Sequence, residues 1–375
     1  MRGILSVLHG DTEISAALKT DSSKIIATPA SYPFLIALKA QHRPILVVTS
    51  SSRAAEDLAE SLRELHSRVY EFPAWETLPH ERLSPRSDTV AQRIATLYSL
   101  QQSENTHPVV VAPIRAVIHR FIASLASEPL WTLEIGQEIS LTKLMEHLTN
   151  LSFIRTDLVE KRGEFAVRGG IVDVFLPLAA HPVRIDFFGD EIEELRYFDI
   201  ADQRTNQAVI GKLSILPCRE FLLDQAISER AEKLKDKYPG ALEIIGKIAE
   251  GISVDGMESL VPLLIDDFNT IAERMPAKTE VLFIDEERIR SRTADLIETN
   301  QEFLEASWSN AAVGASAPLP VEKVTYLSWE ELRAQINEFA LASSALNPFG
   351  SDLDTDAHFL DIAAIDPMRG NVEAL

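Results

Sequence analysis

Ile45–Leu46–Val47–Val48, followed at once by Thr49–Ser50–Ser51, is the stretch on which the fold turns. Four apolar residues in a row, mostly β-branched, predict a strand buried on both faces. The hydroxyl trio can cap the helix that follows. That helix is predicted over 54–65: Ala54, Leu58, Leu62 and Leu65 recur at helical spacing, with Glu56, Asp57, Glu60 and Arg63 elsewhere around it. Ile25–Ile26–Ala27 and Val109–Val110–Val111 read as further strands, the second leading into an amphipathic helix predicted over 114–125. Val281–Leu282–Phe283–Ile284 is another, ahead of a long helix from Glu286 to about Trp308. Apolar strands alternating with helices predict an α/β architecture with a parallel sheet covered on both faces.

Between these stretches the texture changes. After a helix predicted over 141–151, short strand-like runs alternate with glycine-containing turns. Phe165–Ala166–Val167–Arg168 precedes Gly169–Gly170, and Ile171–Val172–Asp173–Val174–Phe175 follows. Val183 to Phe188 runs to Gly189–Asp190, with Ile192 to Phe198 beyond. Such a pattern predicts an antiparallel sheet. Helices return over 221–237 and 242–251. Four parts are therefore expected: an α/β first half (1–126), a β-rich insert (127–216), an α/β second half packing on the first (217–330), and a linker with the start of a truncated following domain (331–375). Ala311 to Pro320, small and proline-bearing, reads as linker, and Asp361 to Leu375 stops without a finished element.

The chain has 375 residues, enough for two or three domains, and a net charge of −21. That field repels a phosphate backbone, which argues against a general nucleic-acid-coating role and favours solubility, while leaving room for a local basic patch. A single cysteine, Cys218, makes no internal disulfide and reads as a small core residue. The first ten residues lack the features of a secretory signal, and no apolar stretch is long enough for a membrane span. A cytoplasmic location is expected.

Catalytic motifs are missing where they should be. A nucleotide-binding motor domain needs a glycine-rich loop after its first strand, whose amides cradle phosphates, ending in Gly-Lys-Ser/Thr. After Ile25–Ile26 this chain reads Ala27–Thr28–Pro29–Ala30–Ser31–Tyr32–Pro33–Phe34, with no glycine, no lysine and two prolines that lack amide hydrogens. Ile284–Asp285–Glu286–Glu287 resembles an acidic magnesium-holding strand end, but without a phosphate loop its acids are better read as favouring the next helix start. The histidines show no metal-ligand spacing, and no nucleophile elbow occurs. No catalytic residue, metal site or cofactor is expected in this chain.

Val183–Arg184–Ile185–Asp186–Phe187–Phe188 carries the functional signal. Alternation puts Val183, Ile185 and Phe187 on a core face and Arg184, Asp186 and Phe188 on the other. Arginine and exposed aromatic residues are the types enriched in interface hot spots, where one anchor contributes roughly 2 kcal/mol or more. Arg168, Arg196 and Arg204 add positive charge nearby. The competing reading is that Phe188 packs under a loop and the arginines pair with Asp173, Asp186 or Asp190.

Several long runs resemble one family. Phe72–Pro73–Ala74–Trp75–Glu76–Thr77–Leu78–Pro79 with Leu83–Ser84–Pro85, and Arg162–Gly163–Glu164–Phe165–Ala166–Val167–Arg168–Gly169–Gly170–Ile171–Val172–Asp173, are similar to signatures of bacterial transcription-repair coupling factors (Mfd), closest to actinobacterial members. Val183 to Phe188, Asp190–Glu191–Ile192, Asp202–Gln203–Arg204, Glu250–Gly251–Ile252 and Asp255–Gly256–Met257–Glu258 continue the resemblance. It implies a degenerate P-loop, RecA-like α/β domain interrupted by a β-rich UvrA-binding-type domain, as in UvrB, with Thr28–Pro29–Ala30–Ser31–Tyr32–Pro33–Phe34 as the vestigial nucleotide loop.

By the same resemblance, the chain is the amino-terminal adaptor part of an ATP-dependent DNA translocase that displaces stalled RNA polymerase. It would recruit UvrA through Arg168, Arg184 and Phe188, with Arg196 and Arg204 as further contacts. ATP, magnesium, double-stranded DNA and RNA polymerase would belong to downstream domains, and the family's carboxy-terminal domain would mask the UvrA-binding surface at rest. Two alternatives stay open: a UvrB-like ATP-dependent helicase subunit, and a purely autoinhibitory module.

Overall fold

A computed structural model describes residues 2–20, 23–78, 81–102, 104–312, 326–350 and 356–362. In chain order its first strands are β1 (Lys24–Ile26), β2 (Ile45–Thr49), β3 (Val69–Glu71), β4 (Val109–Pro113) and β5 (Phe121–Ile122). Next come β6 (Trp131–Glu134), β7 (Ile154–Arg155), β8 (Glu164–Arg168), β9 (Ile171–Val174) and β10 (Val183–Phe188). β11 (Glu191–Phe198), β12 (Thr205–Val209) and β13 (Lys212–Ile215) follow. After a helical stretch come β14 (Phe268–Asn269), β15 (Glu280–Ile284), β16 (Ala342–Asn347) and β17 (Ala357–Phe359).

Seven strands form one sheet in the order β17-β1-β16-β15-β2-β4-β3, every neighbouring pair parallel. Each residue of β2 and β4 is buried. Successive side chains serve opposite layers: Ile45 and Val47 join the core on one face, Leu46 and Val48 the core on the other. Ser51 caps the helix Ser52–Arg63, its hydroxyl accepting from the Ala54 amide at 3.2 Å. The α/β expectation holds.

Three expectations are corrected. Of the helix expected over 114–125, only Ile114–Val117 forms; the chain then turns into β5, which pairs antiparallel with β14. Ile114, Ala116, Val117, Ile118, His119 and Phe121 are all buried, so their spacing reflects enclosure on every side and not one helical face. The helix expected from Phe221 starts at Gln225, where Asp224 accepts from the Ile227 amide at 2.8 Å, while Phe221 sits in the core. Of the part expected as linker and following domain over 331–375, the described residues instead complete the parallel sheet, through β16 and β17. A helix, Trp329–Glu338, leads into β16, which is hydrogen-bonded between β15 and β1. β16 reads Ala-Ser-Ser-Ala-Leu-Asn, too polar to show as an apolar run; Ser344 accepts from the Ser23 amide at 3.2 Å. Of the linker expected over 311–320, residues 311–312 end the helix Glu286–Ala312; 313–325, like Pro79 and 363–375, lie outside the described residues.

The insert is a six-stranded sheet, β12-β11-β10-β9-β8-β7, antiparallel except for the parallel β7–β8 pair. Its inner face is covered by the helix Leu141–Asn150 and the β6–β13 pair, through Leu133, Leu144, Leu148, Val172, Ile185 and Leu213. The outer face is left to the site described below.

Buried charges stitch the insert to its surroundings. Arg93, fully buried on the helix Ser87–Leu100, lies 4.1 Å from the Phe72 ring centroid and donates to Glu220 and, at 2.9 Å, to the Pro73 carbonyl. Trp75 donates its indole N–H to the same carboxylate at 3.0 Å. Ser84 and Arg219 converge on Glu258, at 2.6 and 2.7 Å. Gly256 has φ +76°, and a Cβ there would stand 2.4 Å from the Arg82 carbonyl group. Gly256→Ala is therefore expected to cost about 2 kcal/mol or more; an unchanged urea midpoint would contradict the close approach.

His119, enclosed with Arg93 and Arg115 near it, is held neutral: burial first, then these two cations, push its pKa well below the ordinary 6.5. The unfolded chain takes up that proton near pH 6.5 and the folded chain does not, so stability should fall as pH drops below about 6.5. The contribution of His119 is up to ~1.4 kcal/mol per pH unit. His66 and His147, also lowered by burial, act in the same direction. His119→Phe should remove about one proton from the slope of unfolding free energy between pH 5 and 6.5; an identical slope would show that His119 titrates normally.

Candidate functional site

β8, β9, β10 and β11 place alternate residues on the outer face of the insert. Arg168 is paired with Ile171, Asp186 with Ile171 and Glu194, and Arg184 with Asp173 and Arg196. A bulge between Asp186 and Phe187 leaves Glu193 without a cross-strand partner, yet the alternation of β10 survives it: Val183 and Ile185 are buried, and Phe188 is 77% exposed. Gly189, with φ +64°, turns the chain back immediately after that ring.

The structure thus brings Arg168, Arg184 and Phe188 onto one face, but their surroundings differ. Arg168 is exposed and donates to the Asp157 carbonyl at 2.8 Å. Arg184 is partly buried, not standing free in water beside Phe188. Its Nε and Nη2 donate to the two Asp173 carboxylate oxygens at 2.7 and 2.8 Å, and Nη1 donates to the Gln203 carbonyl at 3.3 Å. The guanidinium lies 4.9 Å from the Phe198 ring centroid. The bond to Asp173 holds the Arg184 pKa above its ordinary value against desolvation. The pairing with Asp173 foreseen as the competing reading is real for Arg184, whereas the loop-covered Phe188 is not.

Arg196 stands across from Arg184 and pairs with Glu194, while its Nε is buried without a hydrogen-bond partner. Asp186 has a raised pKa, first from burial, with Glu194 adding to it against Arg184 and Arg196. Arg204, its side chain 86% exposed, belongs to the loop before β12, at the end of β10 away from Phe188. Gln203 and Phe198 were not legible as part of this face. Gln203 adopts φ +61°, and the Asp202–Gln203–Arg204 run is the only sequence signal that touches it.

The other conspicuous crevice is at the carboxyl ends of β1, β2, β15 and β16, where open α/β sheets hold ligands. A cavity of about 390 Å³ there is lined by Pro29, Tyr32, Ser50, Leu58, Asp285 and Arg288, among others. The turn after β1 is a 3₁₀ helix, Pro29–Ser31, running into the helix Tyr32–Lys39. Two of its amides are spent internally, Ser31 donating to Thr28 and Tyr32 to Pro29, and Pro29 and Pro33 have none to offer. Asp285 accepts from the Arg288 amide at 3.3 Å, as a helix start requires. Among the described residues, no group of three or more His, Cys, Asp or Glu could hold a metal ion, and no helix is long and apolar enough to cross a membrane.

Residues 131–221, the six-stranded sheet with its covering helix and the β6–β13 pair, match the UvrB interaction domain family. The chain is 41% identical over 377 residues to the transcription-repair-coupling factor of Mycobacterium bovis, covering 94% of this chain and 30% of that relative. It is 30% identical to the one from Myxococcus xanthus (79% of this chain, 26% of the relative) and 28% identical to the one from Escherichia coli (76% and 25%). The chain spans less than a third of the length of these curated relatives. Over the stretch it shares with them, the chain belongs with the transcription-repair-coupling factors, as a parallel α/β sheet domain interrupted by a UvrB interaction domain.

Proposed function

We propose that this chain acts as an adaptor in transcription-coupled nucleotide excision repair, its β-rich domain presenting Arg168, Arg184 and Phe188 to UvrA where RNA polymerase has stalled. The observation that carries the reading is Phe188: a ring 77% exposed, on one face with two arginines, inside the stretch that matches the UvrB interaction domain. Arginine beside a water-exposed aromatic is the composition of an interface anchor. Arg196, on the same face, would be a secondary contact, and Arg204 a peripheral one.

In this reading the chain contributes recognition and no catalysis. ATP- and magnesium-dependent translocation on double-stranded DNA, and contact with RNA polymerase, belong to the length of the relatives that this chain does not cover. A carboxy-terminal domain of such a protein would cover the same face at rest, and the setting is the cytoplasm.

In a titration of this chain with UvrA, Phe188→Ala and Arg168→Ala should each weaken binding, Phe188→Ala by about 30-fold. The melting temperature of Phe188→Ala should scarcely move, because the ring is outside the core. Undiminished UvrA binding by the folded variants would reject the assignment. Calorimetric titration with magnesium–ATP should give no binding heat, since the turn after β1 has no glycine or lysine, two prolines, and the Ser31 and Tyr32 amides already engaged; saturable micromolar binding would favour the UvrB-type ATPase reading.

A further inference from the structure

Arg184 is the least free of the arginines on the outer face, and that is informative. A guanidinium has five N–H donors. Three are engaged here: Nε and one on Nη2 with Asp173, and one on Nη1 with the Gln203 carbonyl. Two remain, one on each terminal nitrogen, and the side chain is still 19% exposed. Beneath it Asp173 is 3% exposed, and no other side chain donates to its carboxylate in the described structure. The Phe198 ring backs the guanidinium, and the left-handed backbone of Gln203 delivers the carbonyl that holds the third donor.

We propose that Asp173 is a positioning residue for partner docking: it clamps the Arg184 guanidinium side-on so that its two unused N–H groups form a fixed donor pair for an oxygen acceptor of the partner, a carboxylate or a main-chain carbonyl, on the same face as the Phe188 ring. The proposal rests on the reading of this face as the UvrA-binding surface. It also changes what Arg184 does there. With its charge paired to a buried carboxylate, Arg184 acts through the direction of its hydrogen bonds and only weakly as a free charge. A lysine at this position would keep the charge and lose the fork.

The test is a double-mutant cycle on UvrA binding by the full chain, using Asp173→Asn, Arg184→Gln and the double variant, with Arg184→Lys and Phe188→Ala alongside. Asp173→Asn keeps the size of the side chain, and the Asn–Gln combination leaves no unpaired buried charge, so at least one arm of the cycle remains folded. Asp173→Asn is expected to weaken binding about tenfold, Arg184→Lys to lose as much as Arg184→Gln, and Asp173→Asn to add nothing in the Arg184→Gln background. A merely structural role for Asp173 would instead produce the same loss in both backgrounds, and that result overturns the proposal, as does parental affinity of Asp173→Asn or Arg184→Lys. If Phe188→Ala and Arg184→Gln both bind UvrA undiminished, the surface reading itself fails and the clamp falls with it. Loss in Phe188→Ala with no loss in Asp173→Asn removes the clamp alone.

Discussion

The parallel sheet can close only if distant parts of the chain meet. β1 and β2 are consecutive in sequence, yet β16 and β15 lie between them, supplied by residues more than two hundred positions later. Because the first and last stretches share one sheet, the β-rich insert between β4 and β15 must leave the α/β body and return to it. The β-rich domain is therefore held at both ends, at its entry beside β5 and at its exit beside Glu220. Loop closure over such a distance is entropically costly, and the fully buried strands β2 and β4, with β15 buried as far as Phe283, supply the apolar burial that offsets it.

The seam at the exit shows how the orientation of the insert is kept. Glu220 receives Arg93 from one helix and Trp75 from the loop after β3, while Glu258 receives Arg219 and Ser84. These are buried, mutually dependent contacts, in which loss of one partner strands the other. Arg162 reaches from the insert to Asp88 at 3.8 Å, adding a weaker, exposed contact on the same side. The outer face of the insert carries the mixed array of Arg168, Asp173, Arg184, Asp186, Glu194 and Arg196.

Much of this was legible from pattern. The runs 45–48, 109–111 and 281–284 announced buried strands because both faces of the sheet are covered, and the Gly169–Gly170 and Gly189–Asp190 turns announced the antiparallel insert. β16 escaped because an interior strand made of small and polar residues has no apolar signature, and the helix expected over 114–125 failed because total enclosure imitates a helical face. At the candidate site, alternation alone put Arg184, Asp186 and Phe188 on one face. It could not tell which of them water reaches.

The sequence by itself determined the alternation of β10, the loss of glycine and lysine after β1, and the family to which the long ungapped runs point, since each depends only on neighbouring residues. Tertiary structure alone decided that Phe188 is left uncovered at a turn while Arg184 is held by Asp173, Gln203 and Phe198. Those partners come from β9, β11 and the loop before β12. Side-chain environment is set by strand register and by what crosses the sheet, and neither is written in the spacing of residues along one strand.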